Sequence, residues 1–148
     1  MGEIQIKKIE DLLECESNHL VKESKKEGFH FLTKLRNEYE NNINTFRKIG
    51  ECLYGIFQDE ELIGIGGVNV DPYTEDTKVG RLRRFYISKD YRRRGLGNML
   101  LNRLLSHAEK YFDVIVLYTD TKQGNVFYTA NGFVKGNLYK SSSHYKIL

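Results

Sequence analysis

Residues 79–118 constrain the fold of this 148-residue chain more than any other stretch. Residues 79–88 have the composition of a strand, a loop with two glycines follows, and from Gly95 onward apolar residues recur every four positions, as in a helix with one buried face. The apolar run at 114–118 is typical of a strand buried on both sides of a sheet. Two strands joined through a helix become parallel neighbours with a right-handed crossover, so the sequence predicts a mixed α/β fold.

The rest of the chain supplies strands and helices on both sides of this unit. Upstream, the patterns predict a strand, two helices and a two-stranded hairpin; downstream, they predict a short helix and two last strands. Glycines within the second hairpin strand predict a place where another backbone or a ligand comes close. No repeat or linker interrupts the patterns, so we expect one domain over residues 1–148. The predicted upstream elements span residues 4–9, 11–26, 29–46, 52–58 and 62–70, and the downstream elements lie at 123–131 and within 133–148.

Composition excludes several other classes of protein. A content of 40% apolar residues suits a folded domain, and no segment approaches the roughly 20 consecutive apolar residues that a membrane helix needs. Cys15 and Cys52 are far apart, and His19 has no second Cys/His pair with which to complete a zinc site. The first residues lack the pattern of a secretion signal. We therefore expect no metal, no membrane partner and a cytoplasmic location.

A basic segment and an acidic remainder lie behind the small net charge of +3. The segment from Lys78 to Arg94 contains eight basic residues and a single acid, Asp90. Its charge is therefore +7, which leaves −4 for the rest of the chain. Such a segment favours an anionic partner, which could be nucleic acid, a membrane surface or a phosphorylated small molecule. A solvated basic face is the alternative that needs no partner.

The loop at residues 91–98, Tyr-Arg-Arg-Arg-Gly-Leu-Gly-Asn, has the features of a phosphate site. Its glycines let the backbone turn so that N–H groups point outward together, and the start of the next helix adds unsatisfied donors and a positive dipole end. The arginines can contact phosphate oxygens. Because no Gly-Lys-Ser/Thr triplet follows and a third glycine is missing, the loop matches neither a Walker motif nor a dinucleotide fingerprint.

Two motifs in order resemble those of the GNAT N-acyltransferase superfamily. Phe-Tyr-Ile at 85–87, followed by Arg92-x-x-Gly95-x-Gly97, resembles the acyl-CoA-binding motif of that family. Residues 125–133, Asn-Val-Phe-Tyr-Thr-Ala-Asn-Gly-Phe, resemble its closing helix. The resemblance covers about residues 62–134. It implies a single-domain fold with a twisted mixed sheet of about six to seven strands flanked by about four helices, and an acetyl-CoA-dependent N-acetyltransferase activity that needs no metal.

The resemblance also implies a role for each matching residue. The backbone at 85–87 would hold the pantetheine arm, and the amides from Arg92 or Arg93 through Asn98 would hold the pyrophosphate. Asn125 would contact the pantetheine, and Tyr128 would be the general acid that protonates the departing thiolate. The implied acetyl-CoA-binding set is Phe85, Tyr86, Ile87, Arg92, Arg93, Arg94, Gly95, Leu96, Gly97, Asn98, Asn125 and Tyr128.

The general base is the open part of this mechanism. Many members of the family have an acidic residue early in the strand before the loop, but Arg81 stands at that position and cannot accept a proton. The candidates elsewhere are Asp71 and Asp120, which follow strands at the edge where a cofactor would lie, Glu75 and Asp76 in the loop after Asp71, and His144, which has a suitable intrinsic pKa. Deprotonation through water is an equal alternative.

The acceptor is expected to be a primary amine on a small molecule or a peptide. Several acids outside the motifs would suit a cationic amine: Glu38, Glu40, Asp71, Glu75 and Asp76. A homodimer is common in the family. Two other functions stay open, a non-catalytic acyl-CoA-binding or sensing domain and a nucleic-acid-binding module that uses the basic segment. Arg81, Arg83 and Arg84 have no role in either motif.

Overall fold

A computed structural model describes residues 3–148, which form seven strands and four α-helices. The strands are β1 (Ile4–Lys8), β2 (Cys52–Gln58), β3 (Glu61–Val70), β4 (Val79–Ile87), β5 (Val114–Leu117), β6 (Val134–Lys135) and β7 (His144–Ile147). The helices are α1 (Asn18–Lys26), α2 (Phe31–Glu40), α3 (Leu96–Ala108) and α4 (Lys122–Ala130). All seven strands belong to one sheet, in the order β1-β2-β3-β4-β5-β7-β6. The predicted mixed α/β fold is confirmed.

The crossover unit around α3 forms as the sequence predicts. β4 and β5 are parallel, with Val79 opposite Val114 and Arg81 opposite Val116, while every other strand pair in the described sheet is antiparallel. The helix between them buries the face that the four-residue repeat predicts, through Leu96, Leu100, Leu101, Leu104 and Ala108.

β4 and β5 separate soon after they meet. β4 is nine residues long but pairs with β5 at three positions, the last of which is Arg81. Further along, the register between β3 and β4 shifts between Ile65 and Gly67, and Arg84 adopts a left-handed backbone with φ 59°. A bulge of this kind bends a strand and increases its twist. Within the described chain, the edge of β4 from residue 82 to 87 therefore has no strand beside it, and a gap opens between β4 and β5.

The helices cover the two faces of the sheet in pairs. α3 and α4 pack on one face, in a core that includes Leu100, Leu104 and Tyr128. α1 and α2 pack on the other face, in a core that includes Leu20 and Leu35. The gap between β4 and β5 therefore has α3 and α4 on one side of the sheet and α1 and α2 on the other. None of the helices within residues 3–148 is long and apolar enough to cross a membrane.

The two predicted N-terminal helices are shorter than expected. Only the second half of the range 11–26 is α-helical, after a 3₁₀ turn at Leu12–Glu14. The range 29–46 loses its last turn because Asn42 adopts a left-handed backbone with φ 58°, a conformation that asparagine tolerates well. Phe46 continues the apolar spacing but belongs to the loop that follows α2.

Phe46 explains one of the glycines in β3. A Cβ added to Gly67 would lie 2.5 Å from Cε1 of Phe46, closer than real Cβ contacts allow. The expected close approach at these glycines is therefore made by packed side chains. A ligand is not needed to explain them.

A buried ion pair joins the end of β3 to β4. Arg81 Nε donates to Asp71 Oδ1 at 2.8 Å, and both side chains are at least 95% buried. The two terminal nitrogens of Arg81 donate to the backbone oxygens of Ser141 and Lys140, at 2.8 and 2.9 Å. Arg81, which the motifs left without a role, thus fixes the loop before β7 against the sheet.

We predict that Asp71→Asn lowers the free energy of unfolding by about 3 kcal/mol, because it leaves the buried guanidinium of Arg81 without a counter-charge. Urea denaturation measures this loss. Glu40→Gln is the matched control, since it removes an exposed pair with Arg36 and should cost less than about 0.5 kcal/mol. Equal losses in the two variants would contradict the structural role of Asp71.

Candidate active site

The loop between β4 and α3 presents a run of free backbone donors. Among residues 3–148, no protein acceptor takes a hydrogen bond from the N–H groups of residues 93–98. The first N–H to find one at the start of α3 is that of Met99, which donates to Gly95 O at 3.1 Å. No side chain caps this helix. Free donors together with the positive end of a helix make a site for an anionic group.

Two residues with left-handed backbone shape this loop. Arg93 has φ 63° and Gly95 has φ 78°. A Cβ on Gly95 would meet no atom within 4 Å, so glycine is required at this position by its backbone conformation and not by lack of space. Left-handed residues occur in other loops whose successive N–H groups turn toward a bound anion.

The side chain of Arg92 is already engaged by α1. Its two terminal nitrogens donate to Glu27 at 2.9 and 2.6 Å, and its Nε donates to Ile87 O at 2.9 Å. The expectation that the arginines of the loop contact phosphate therefore does not hold for the Arg92 side chain, which fixes the loop to α1. Arg93 and Arg94 are exposed, with the Arg94 guanidinium over the Tyr91 ring.

A second acid, Glu23 within α1, holds the other side of this junction, whereas Glu27 is the first residue after the helix. Glu23 accepts hydrogen bonds from Ser88 Oγ at 3.0 Å and from Lys89 N–H at 3.0 Å, and the hydroxyl of Tyr86 contacts both Glu23 and Glu27. Burial acts to raise the pKa of Glu23, but these hydrogen bonds outweigh burial and the net pKa is lowered. Hydrogen bonds from Arg92 lower the pKa of Glu27. The sequence analysis missed both acids, although their spacing of four residues places them on one face of α1.

Tyr86 and Phe85 point to opposite faces of the sheet. The ring of Tyr86 lies on the α1 side, while the ring of Phe85 lies 5.7 Å from that of Phe127 and 6.3 Å from that of Tyr128 on the α4 side. The predicted roles of 85–87 concern their backbone, which forms part of the unpaired edge of β4. Ile87 completes this edge, next to the loop.

Tyr128 stands beside the gap with a free hydroxyl. Its ring packs against Phe127 and Phe133, with centroids 5.0 and 5.6 Å away, and the residue is 9% exposed. Within the residues that the structure describes, its hydroxyl forms no hydrogen bond. Burial raises the pKa of Tyr128, so the phenol keeps its proton at neutral pH. A protonated, unpaired hydroxyl beside the gap can donate a proton to a group bound there.

His144 and Asn125 form a hydrogen-bonded chain next to Tyr128. His144 Nε2 lies 2.7 Å from Asn125 Oδ1, which can only accept, so Nε2 carries the proton and the neutral ring accepts at Nδ1 from Ser143 Oγ, also 2.7 Å away. Ser143 Oγ accepts in turn from the N–H of Thr119 at 2.9 Å. The chain fixes α4 to β7 and leaves the Asn125 amide nitrogen without a described partner.

This arrangement corrects part of the prediction for the general base. His144 is 1% exposed, both of its ring nitrogens are engaged, and burial lowers its pKa. Asp71 is buried in its pair with Arg81. The other candidates are exposed: Asp120 lies just after β5, and Glu75 and Asp76 lie in the loop between β3 and β4. In the described part of the chain, no cluster of His, Cys, Asp and Glu is arranged to hold a metal ion.

The acids expected to receive a cationic amine are mostly paired with arginines. Glu38 accepts from Arg84 Nη2 at 3.1 Å, Glu40 pairs with Arg36, and Asp71 pairs with Arg81, whereas the remaining two acids, Glu75 and Asp76, are exposed in a loop. The expectation of an acidic acceptor site therefore does not hold for Glu38, Glu40 and Asp71.

An open strand edge beside a loop of free N–H groups is the arrangement that the two motifs imply for acyl-CoA, and comparison with known proteins assigns the family. The acetyltransferase (GNAT) family matches residues 18–133. The chain therefore belongs to the GNAT acetyltransferase family, which confirms the resemblance carried by the two motifs.

Curated relatives match over part of their length. The probable spermine N(1)-acetyltransferase of Bacillus subtilis subsp. natto (strain BEST195) is 32% identical over 83 residues, and the spermine/spermidine N(1)-acetyltransferase of Bacillus subtilis (strain 168) is 31% identical over 83 residues. Each match covers 51% of this chain and 55% of the relative. The chain thus spans only about half the length of these relatives.

Solved structures share the whole fold. A protein of Exiguobacterium sp. 255-15, assigned as an acetyltransferase, superposes with a TM-score of 0.86 at 25% identity, covering 98% of this chain and 93% of the other. The PaiA N-acetyltransferase of Thermoplasma acidophilum, solved in complex with coenzyme A, superposes with a TM-score of 0.64 at 19% identity, covering 99% of each chain.

We predict that Gly95→Ala lowers the free energy of unfolding by about 1–2 kcal/mol, because alanine pays the left-handed penalty that glycine avoids. Thermal and urea denaturation measure the loss. Gly136→Ala is the control, since its added Cβ would be 3.6 Å from the nearest atom, an ordinary contact. If both variants kept wild-type stability, the loop would not need its left-handed residue.

We predict that His144→Gln flattens the fall in stability between pH 7.5 and 5.5. The folded-state pKa of His144 lies below the ordinary value of about 6.5, so as pH falls the unfolded chain takes up a proton that the folded chain excludes, and folding is destabilised. Unfolding free energies at several pH values measure this slope. Burial also lowers the pKa of His107, so part of the slope should remain. The exposed His30→Gln variant should keep the wild-type slope; an unchanged slope in His144→Gln would contradict the assignment.

Proposed function

We propose that this protein is an acetyl-CoA-dependent N-acetyltransferase that transfers an acetyl group to a primary amine of a small molecule or a peptide. The observation that carries the proposal is the run of free N–H groups at 93–98, which leads directly to the unpaired edge of β4 and to the free hydroxyl of Tyr128. Family membership supports the same reaction class.

The residues present suit acetyl-CoA. The N–H groups of 93–98 would bind the pyrophosphate, and the exposed Arg93 and Arg94 would reach other phosphate oxygens. The backbone at 85–87 would pair with the amide groups of the pantetheine arm, as a missing neighbour strand would. The amide nitrogen of Asn125 would donate to the same arm. Acetyl-CoA supplies the acetyl group as a thioester, which is activated for transfer to an amine.

Between heavy atoms, the proposed chemistry forms one bond and breaks one bond, and two protons are also transferred. The neutral amine forms a bond to the acetyl carbon, and the bond between that carbon and sulfur breaks. A backbone N–H at the open edge of β4 would stabilise the negative charge on the carbonyl oxygen, a contribution of a few kcal/mol in enzymes of this kind. Tyr128, which keeps its proton at neutral pH because burial raises its pKa, would give that proton to the departing sulfur and regain one from water.

The amine must lose a proton during transfer, and we assign this proton to water at the mouth of the gap. Asp71 and His144 are engaged in buried hydrogen bonds. Asp120 is exposed after β5 and can accept the proton from that water.

A polyamine is a second candidate acceptor, supported by the names of the two Bacillus relatives. The other functions left open by the sequence have less support. Arg81, Arg84 and Arg92 of the basic segment are paired with acids of the same chain, which reduces the surface available to nucleic acid. A non-catalytic sensor would have no use for the free hydroxyl of Tyr128.

We predict that Tyr128→Phe lowers kcat by about 10²- to 10⁴-fold, because it removes the proton donor for the thiolate. CoA release is measured with a thiol reagent on a panel of amines, with acetyl-CoA binding measured in parallel. The control is Tyr111→Phe, which changes an exposed tyrosine beyond the C-terminal end of α3, the end opposite to the loop.

Three results of this assay are distinguishable. Loss of kcat with binding retained supports the assignment of Tyr128. Full activity in Tyr128→Phe contradicts its role as the acid, while the reaction itself stands. Acetyl-CoA binding without CoA release on any amine would support the sensing alternative instead.

A further inference from the structure

Arg83 of β4 has no carboxylate partner in the part of the chain that the structure describes. Its guanidinium is half-buried, and its one hydrogen bond, from Nη1 to Asn69 Oδ1, is long at 3.5 Å. That oxygen already accepts a bond of 2.9 Å from Asn44. A guanidinium has five N–H donors, so most of the donors of Arg83 are left unused by the protein.

The surroundings of Arg83 carry an excess of positive charge. Arg81 is neutralised by Asp71, and the pair Arg84–Glu38 is closed as well, which leaves Arg83 with no acid of its own. Moreover, Arg84 Nε is buried and has no hydrogen-bond partner among the described residues. Burial, followed by the neighbouring charge of Arg84, lowers the pKa of Arg83. A positive charge held in this environment is stabilised by an anion from outside the chain.

Arg83 lies where an acceptor would approach the gap. It stands two positions beyond Arg81, where β5 leaves β4, and two positions before Phe85, whose ring contacts Tyr128. Two residues of strand span roughly 7 Å. Its contact with Asn69 places the guanidinium on the face covered by α2, opposite to the face on which Tyr128 lies. Arg83 therefore lies on the strand that would hold the pantetheine, two residues from Phe85, with its side chain across the sheet from Tyr128.

We propose that Arg83 binds an anionic group of the acceptor, so that the acceptor is an amine that also carries a carboxylate, as in an amino acid or a peptide. This inference rests on the proposed acetyl transfer, because it concerns the second substrate of the same site. A guanidinium matches a carboxylate with two parallel hydrogen bonds. A polyamine carries positive charges alone and would meet the unneutralised charge of Arg83 with repulsion.

The test compares matched amines that differ in the carboxylate. CoA release is measured with an α-amino acid and its carboxamide, with a dipeptide and its carboxamide, and with spermine. We expect the wild-type kcat/KM to favour the carboxylate member of at least one pair by about 10- to 100-fold, the range for a hydrogen-bonded charge. The pair with the larger ratio distinguishes a free amino acid from a peptide.

Variants assign this preference to Arg83. Arg83→Gln should bring the ratio of carboxylate to carboxamide close to one, Arg83→Lys should give an intermediate ratio, and the exposed Arg103→Gln should keep the wild-type ratio. If Arg83→Gln does not fold, the role of Arg83 is decided by the ratio of carboxylate to carboxamide activity in Arg83→Lys. A wild-type ratio in the Arg83 variants, or equal wild-type activity on carboxamides or spermine, overturns the role of Arg83 and leaves acetyl transfer standing. If no amine, among these or others, gives CoA release, both the role of Arg83 and the proposed acetyl transfer are overturned.

Discussion

The short parallel pairing of β4 with β5 is the constraint on which the site depends. The two strands share three residue pairs and then diverge, because β5 ends at Leu117 while β4 continues to Ile87 with a bulge at Arg84. A full-length pairing would satisfy the edge of β4 with backbone hydrogen bonds and leave nothing for a ligand. The divergence leaves strand-like donors and acceptors exposed in the middle of the sheet, and α3 starts just beyond them.

Acids of the same chain neutralise much of the basic segment, and the pairs differ in what they fix. Arg81 joins the end of β3 to the loop before β7, Arg84 holds the bulge against α2, and Arg92 holds the loop against α1. The basic residues are therefore only partly a ligand-binding surface. The net charge of the segment overstates what a partner would meet, since its cations without an acidic partner among the described residues are the exposed Lys78, Lys89, Arg93 and Arg94 and the half-buried Arg83.

The sequence patterns predicted those elements that are determined by residues close together in the chain. The apolar repeat of α3, the buried run of β5 and the glycine loop between strand and helix specify a crossover with little ambiguity. The same reasoning extended the second helix too far, because Phe46 continues the apolar spacing although Asn42 has already ended the helix. Apolar spacing records burial, and a buried loop residue satisfies it as well as a helical one.

The partners of the charged and polar side chains could not be predicted in this way. His144 and Asn125 meet because β7 returns beside β5, and Arg92 meets Glu27 because α1 crosses the end of β4. Each pair is set by the whole topology and not by spacing along the chain. The choice of base was open for the same reason, because whether an acid is free depends on which arginine packs against it.

The ion pair between Arg92 and Glu27 has a consequence for redesign. α1 packs on the face of the sheet that carries the Arg83 side chain, so it would be a natural element to alter in order to change the proposed acceptor preference. Yet Glu27 and Glu23 also position the loop whose free N–H groups form the proposed pyrophosphate site. An engineer who replaced α1 as a block would therefore disturb the other substrate's site, and a library that varies this helix should keep these two acids constant.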